Sequence, residues 1–160
     1  LVLGDILAVA LLERKGFTKT DFNRRHPGGK LGSFLMKVSE LMHKGNEMPL
    51  VPETATMQEA LLEMTSKMLG CVGITDTGGH LKGIITDGDL RRKMSNDILN
   101  KKAAEVMTPN PKTTVPDILA AEALKIMNST GKGITMLFVI ENDKPVGIIH
   151  MHDCLRAGVA

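Results

Sequence analysis

Tyrosine and tryptophan are absent from this 160-residue chain, and phenylalanine occurs only four times. A core without large rings must be built from aliphatic residues and the eleven methionines, whose flexible thioethers fill irregular gaps and tolerate repacking. The same scarcity argues against a nucleic-acid surface, which combines stacking rings with a basic face. Cysteine is almost missing too. Cys71 and Cys154 lie far apart and form no CxxC pair, so a disulfide framework does not fit and a reducing, cytoplasmic setting does. No apolar run approaches the ~18 residues of a membrane span, and no signal peptide is visible.

The net charge of +2 conceals an asymmetry. Residues 1–37 hold seven Lys/Arg against three Asp/Glu, and the remainder holds 13 against 15. The larger part is therefore mildly acidic and offers nucleic acid no basic face. The chain opens at Leu1, without Met and inside an apolar helical pattern, so further chain is expected upstream.

What the sequence does contain is an internal duplication. Residues 39–42 (SELM) match 104–107 (AEVM), residues 57–64 (MQEALLEM) match 120–127 (AAEALKIM), and residues 83–89 (GIITDGD) match 147–153 (GIIHMHD). The offsets are 65, 63 and 64 residues, and three anchors at nearly one spacing mark a repeat. In each copy a short helical turn ends in Met and is followed by an extended stretch, with Pro49 and Pro52 in the first copy and Pro109 and Pro111 in the second. An amphipathic helix comes next. Thr56 and Glu59 form its capping box in copy one, with Ala60, Leu61 and Met64 on one face. Asp117 is the candidate N-cap in copy two, whose helix is expected to run to about residue 130. Strands over 71–76 and 81–86, and over 136–140 and 145–149, flank turns rich in Gly, Asn and Asp. Helices from about Asp87 and about His152 close the copies. One such unit is too small to cover its own sheet, whereas two can cover each other. The fold class is therefore α/β (α+β), with two βαββα-like repeats related by a pseudo-two-fold axis and a cleft between them.

The chemistry concentrates at the last strand-to-helix junction of each repeat. Gly83 lets a ligand approach the strand backbone. Thr86 and Asp89 stand where helix N–H groups attract phosphate, and an ionised Asp, acceptor-only, suits a vicinal diol. Thr86 or Asp87 also reads as a plain helix cap, and the residues alone leave both readings open. The Gly83, Thr86 and Asp89 spacing resembles the cystathionine-beta-synthase (CBS) domain family over residues 37–157. Members carry Gly-hydrophobic-x-Thr/Ser-x-x-Asp at this junction, occur as tandem pairs, and commonly bind nucleotides to regulate a partner domain. The resemblance implies a ligand-binding set of Gly83, Thr86, Asp87 and Asp89 in repeat one and Gly147, His150 and Asp153 in repeat two. His150 replaces the Thr/Ser, so repeat one is expected to be the stronger site. Repeat two is expected to tighten as pH falls toward ~6, where an ordinary imidazole becomes protonated. His150 and His152 lack a third clear ligand, so no metal is expected, and no cofactor is implied.

The leading residues complete the expectation. Leu3, Leu7, Ala10 and Leu11 share a face at helical spacing, and His26-Pro27-Gly28-Gly29 breaks regular structure. Residues 4–12 (GDILAVALL), Gly16-Phe17, the His26 motif through Gly32, residues 84–92 (IITDGDLRR) and the ending 150–158 (HMHDCLRAG) together resemble the arabinose-5-phosphate isomerase family, in which a sugar isomerase (SIS) domain precedes a CBS pair. The resemblance implies that residues 1–36 are the end of a SIS domain, residues 37–100 CBS repeat one, and residues 101–160 CBS repeat two. It also implies interconversion of ribulose 5-phosphate and arabinose 5-phosphate for synthesis of 3-deoxy-D-manno-octulosonate (Kdo), a sugar of lipopolysaccharide and capsule. Such an exchange moves a proton through an enediol and needs positioned acid–base groups. His26 matches a catalytic histidine of the family. The other catalytic groups would lie upstream, so this chain alone is expected to be inactive. The expected partners are a nucleotide or sugar nucleotide in the cleft, the chain's own SIS domain and further copies of the chain. Two alternatives remain: a structural dimerisation module with empty clefts, and a nucleotide-sensing pair from another enzyme or a transporter.

Overall fold

The computed structural model describes residues 14, 33, 35–129 and 133–159. The helix expected over residues 1–16 lies outside them except for Arg14, which is helical and exposed. His26 and residue 130 also lie outside them. Repeat one comprises α1 (Val38–Leu41), β1 (Leu50–Pro52), α2 (Met57–Lys67), β2 (Cys71–Thr75), β3 (Leu81–Thr86) and α3 (Asp87–Lys93). Repeat two comprises α4 (Ala103–Val106), β4 (Thr108–Pro109), β5 (Thr113–Thr114), α5 (Ala120–Asn128), β6 (Met136–Glu141), β7 (Lys144–His150) and α6 (Met151–Arg156). The βαββα order therefore occurs twice, as the duplication predicts.

Local chemistry explains most of these elements. Thr56 caps α2 by accepting from Glu59 N, while the Glu59 carboxylate accepts from Thr56 N at 2.7 Å. The helix then turns Met57, Ala60 and Met64 inward. The β6–β7 hairpin closes through Asn142 and Asp143, both at positive φ, the conformation a tight hairpin turn requires. One cap differs from expectation. Leu119, not Asp117, occupies the N-cap of α5 and makes no side-chain cap. The Asp117 carboxylate instead accepts from Lys37 Nζ at 2.9 Å.

The two sheets are built by exchange. The first has strand order β1-β2-β3-β4 and the second β5-β6-β7. In each, the first strand runs parallel to its neighbour and the hairpin is antiparallel. β4 belongs by sequence to repeat two but pairs with β3 of repeat one, Gly83 opposite Pro109 and Ile84 opposite Thr108. Reciprocally, His43 of repeat one bridges Ile148 of repeat two through both backbone hydrogen bonds, at 2.9 and 3.0 Å. The leading helices cross with these strands. α1 docks on repeat two, where Val38 N donates to Ile118 O and Ser39 N to Pro116 O. α4 docks on repeat one, where Ala103 N donates to Ala55 O. This reciprocity is what a pseudo-two-fold relation requires.

Three apolar clusters follow from the exchange. The first joins Met57, Ala60, Val72, Ile74 and Ile85 to Ala103 and Val106 of α4. The second joins Ala120, Ala123, Met127, Leu137 and Ile149 to Val38 of α1. The third lies between the repeats, where Cys71 meets Met136, Phe138 and Ile148, flanked by Leu50 and Ile84. Phe138 is the wedge of this layer. A Cβ on Gly73 would fall 2.6 Å from its ring, so glycine at 73 admits the one large ring in the shared layer.

Candidate functional site

In repeat one, Thr86 is the N-cap of α3, and its oxygen accepts from Asp89 N. The Asp89 carboxylate is buried and accepts four hydrogen bonds. Oδ2 takes Thr86 N at 3.0 Å and Thr86 Oγ1 at 2.7 Å. Oδ1 takes Arg92 Nη2 at 2.8 Å and Thr108 Oγ1 at 3.2 Å. A carboxylate offers about four acceptor positions, so all are in use. Burial pushes the Asp89 carboxyl upward, but the bonds from Thr86, Arg92 and Thr108 outweigh it and hold the pKa below the ordinary value. The Thr86 hydroxyl proton is likewise spent on Asp89. The junction is thus a knot tying β3, α3 and the crossing strand β4 together.

Gly83 serves a different contact from the one its sequence context suggests. A Cβ there would fall 2.4 Å from Met107 Sδ and 3.0 Å from Met107 Cβ. The close approach on that side is made by Met107 of the chain itself. Gly147 repeats the arrangement, with Met42 Sδ at 2.5 Å and His43 O at 3.0 Å from the missing Cβ. Asp87 faces away from this knot. Its amide donates to Gly70 O, and with Met64, Met68, Gly70 and Leu90 it lines a cavity of about 300 Å³. A larger cavity of about 500 Å³ lies at the hairpin end, between Asp76, His80 and Lys82 of one repeat and Asn110, Ile140 and Asp143 of the other.

Repeat two keeps the cap but changes its chemistry. His150 is the N-cap of α6, and its Nδ1 accepts from His152 N at 3.1 Å. With Nδ1 accepting, the proton of the neutral ring sits on Nε2, which becomes a donor. Burial, then the neighbouring His152, lower the His150 pKa, and His43 and Arg156 add to the effect against the pull of Asp153. His150 therefore stays neutral further into acid than an ordinary histidine. Asp153 Oδ2 accepts from His43 Nε2 at 3.0 Å and from His150 N at 3.3 Å. Among the described residues no hydrogen bond reaches Asp153 Oδ1. His43 was not singled out by sequence reasoning. It occupies the place of Thr108, one residue past the repeat's Met, and the 65-residue offset pairs the two positions. Among the described residues no group of three or more His, Cys, Asp or Glu is arranged to hold a metal ion, and no helix is long and apolar enough to cross a membrane.

Two hairpin sheets with exchanged leading segments and a capped strand-to-helix junction in each define a paired CBS module. Residues 38–96 and 103–160 match the CBS domain family, and the chain belongs to it. The chain is also 50% identical to arabinose 5-phosphate isomerase KdsD of Yersinia pestis over 162 aligned residues, covering 99% of this chain and 49% of that protein. It spans about half the length of the curated relatives it matches. Among solved structures, a CBS-domain containing protein from Agrobacterium tumefaciens superposes with a TM-score of 0.66 at 23% identity, covering 78% of this chain and 94% of that one. CBSX2 in complex with AMP superposes with a TM-score of 0.65 at 21% identity, covering 77% and 96%. At these identities the structural likeness concerns the fold.

Proposed function

We propose that this CBS pair is the ligand-sensing part of an arabinose-5-phosphate isomerase and that its principal site is the junction of repeat two. The observation that carries the reading is the uncommitted pair there. Among the described residues, no hydrogen bond reaches Asp153 Oδ1 or His150 Nε2–H, whereas every acceptor of Asp89 and the hydroxyl proton of Thr86 are already engaged. An acceptor beside a donor at a helix start suits a ribose or sugar hydroxyl next to a phosphate. The AMP held by a protein of the same fold supports a nucleotide as the class of ligand. A sugar nucleotide of the Kdo pathway, such as its cytidine-linked form, fits as a feedback signal. Because the His150 donor belongs to the neutral ring, binding should not tighten toward pH ~6, contrary to what the bare substitution of His for Thr suggests.

The isomerase assignment rests on the identity to the curated relatives across nearly the whole chain. On this reading, catalysis would take place in the cytoplasm on a SIS domain that residues 1–36 would join to the CBS pair. His26→Ala in the full-length protein is expected to lower turnover by about 10²-fold, as loss of an acid–base group does. Near-normal turnover would remove His26 from the mechanism. The site reading is tested by calorimetric titration of AMP, CMP and cytidine-linked Kdo into wild type, Asp153→Ala and Asp89→Ala. Loss of a hydrogen bond to a charged group, about 1.5–3 kcal/mol, should weaken Asp153→Ala roughly ten- to a hundredfold. A larger loss in Asp89→Ala would return the primary site to repeat one. No binding by any of the three ligands would favour a structural module, for which the filled layer around Phe138 speaks.

A further inference from the structure

Asp153 is unevenly loaded. Oδ1 is open, whereas Oδ2 already accepts from both His43 Nε2 and His150 N. Each carboxylate oxygen has about two acceptor positions. A single ligand hydroxyl can therefore bond Oδ1 and leave everything else in place. A vicinal diol that grips both oxygens cannot, because Oδ2 is full. His150 N belongs to the last residue of β7, which is also the N-cap of α6, and is fixed by strand and helix. The His43 side chain is about one-third exposed and can turn away, so it is the bond that yields.

His43 is also the last tie of the leading segment. Its backbone is paired to Ile148 in both directions. Behind it, Met42 packs over Gly147, Val38 is buried in the core of repeat two, and Lys37 pairs with Asp117. Among the described residues, Lys37, Val38, Met42 and His43 thus tie the leading segment to repeat two, although by sequence it leads repeat one. The equivalent bond in repeat one, Thr108 to Asp89, holds only the connection between the two repeats.

We propose that His43 is the specificity-determining residue of the second junction: it discriminates a vicinal diol from a single hydroxyl by being displaced from Asp153, and its displacement loosens the leading segment that joins the module to whatever precedes residue 37. The inference rests on ligand binding at that junction and adds how binding is read out.

The test compares AMP with 2′-deoxy-AMP, which lacks one hydroxyl of the diol, on the whole chain. Affinity is measured by calorimetry, and hydrogen exchange is followed at the amides of His43 and Ile148. Saturating AMP should speed exchange at both amides by about tenfold, the equivalent of one charged hydrogen bond. 2′-Deoxy-AMP should bind without that change. His43→Phe should exchange fast with no ligand and bind AMP about three- to tenfold tighter than wild type, with 2′-deoxy-AMP unchanged. Thr108→Val, the control in repeat one, should leave both amides as in wild type. If both nucleotides bind and neither alters exchange, the displacement is wrong while the binding site stands. If neither binds, the site reading falls and the displacement with it. Wild-type protection of Ile148 in His43→Phe overturns the His43 tie to the leading segment by itself.

Discussion

Gly83→Ala separates two roles for one glycine. A methyl at position 83 would sit 2.4, 2.8 and 3.0 Å from Sδ, Cγ and Cβ of Met107. Met107 packs against the core of repeat one, so moving its Sδ and Cγ aside sacrifices that packing, and its Cβ moves only with the backbone. That backbone is anchored: Met107 N donates to Ala103 O, and Lys93 Nζ donates to Val106 O at 2.6 Å. The strand pairing of Thr108 with Ile84 fixes the other side. Overpacking of this kind costs about 1–3 kcal/mol, which at an m-value near 2 kcal/mol/M lowers the urea midpoint by about 1 M. Truncation to alanine removes Sδ and Cγ, the two nearest atoms, and leaves the 3.0 Å Cβ contact, so it should relieve most of the clash. In a double-mutant cycle, Gly83→Ala in the Met107→Ala background should cost at least about 1 kcal/mol less than in wild type. Equilibrium urea unfolding of the four proteins measures each term. A wild-type midpoint for Gly83→Ala, or additivity within about 0.5 kcal/mol across the cycle, would refute Met107 as the reason for the glycine. A glycine kept for ligand approach alone would instead leave stability unchanged and abolish binding.

The other predictions draw on the shared layer and the caps. Phe138→Ala should cost about 3–5 kcal/mol, because the ring is buried between the sheets and Gly73 leaves no side chain to refill the space. A stability loss below about 1 kcal/mol in urea unfolding would contradict the wedge. Burial, with the Asp87 charge nearby, pushes the Cys71 thiol up to about 12, so it should resist a disulfide reagent at pH 8 until the protein unfolds. Rapid native labelling of Cys71, read by mass spectrometry in Cys154→Ala, would contradict that. The lowered pKa of His150 means that the unfolded chain binds its proton first. Stability should therefore fall as pH drops from the unfolded value, about 6.5, toward the lower folded one, and the fall should shrink in His150→Thr. An identical slope in both proteins below pH 6.5 would remove His150 as its source.

The elements were legible because their signals are local. Thr56 with Glu59 spells a capping box within four residues, and the Asn142-Asp143 turn lies between strands whose residues it brings together. The crossings were not legible. α1 and α4 carry nearly the same pattern, so exchanging them between near-identical repeats changes no periodicity, and only the docked structure shows Val38 in the core of repeat two. Asp117 misled for a related reason. It stands where an N-cap would, but the crossing segment brings Lys37 to it from 80 residues away. The junction was half legible. Thr86 can be seen as a candidate cap, but Asp89's place in that cap, and Arg92 and Thr108, which fill its remaining acceptor positions, are set by the turn of α3 and by the crossing of β4.

The same geometry explains why the two junctions can differ without loss of fold. Each must cap a short helix and tie down a crossing strand, and an Asp three residues past the N-cap does both. Where the cap is Thr86 and the crossing residue Thr108, the amide and hydroxyl of Thr86, the hydroxyl of Thr108 and Arg92 saturate the carboxylate. Where the cap is His150 and the crossing residue His43, the ring accepts the helix N–H through Nδ1 and, among the described residues, no hydrogen bond reaches one carboxylate oxygen of Asp153. The duplication thus separates two demands on one motif. Repeat one retains the tighter cap, and in repeat two, among the described residues, one carboxylate oxygen is reached by no hydrogen bond.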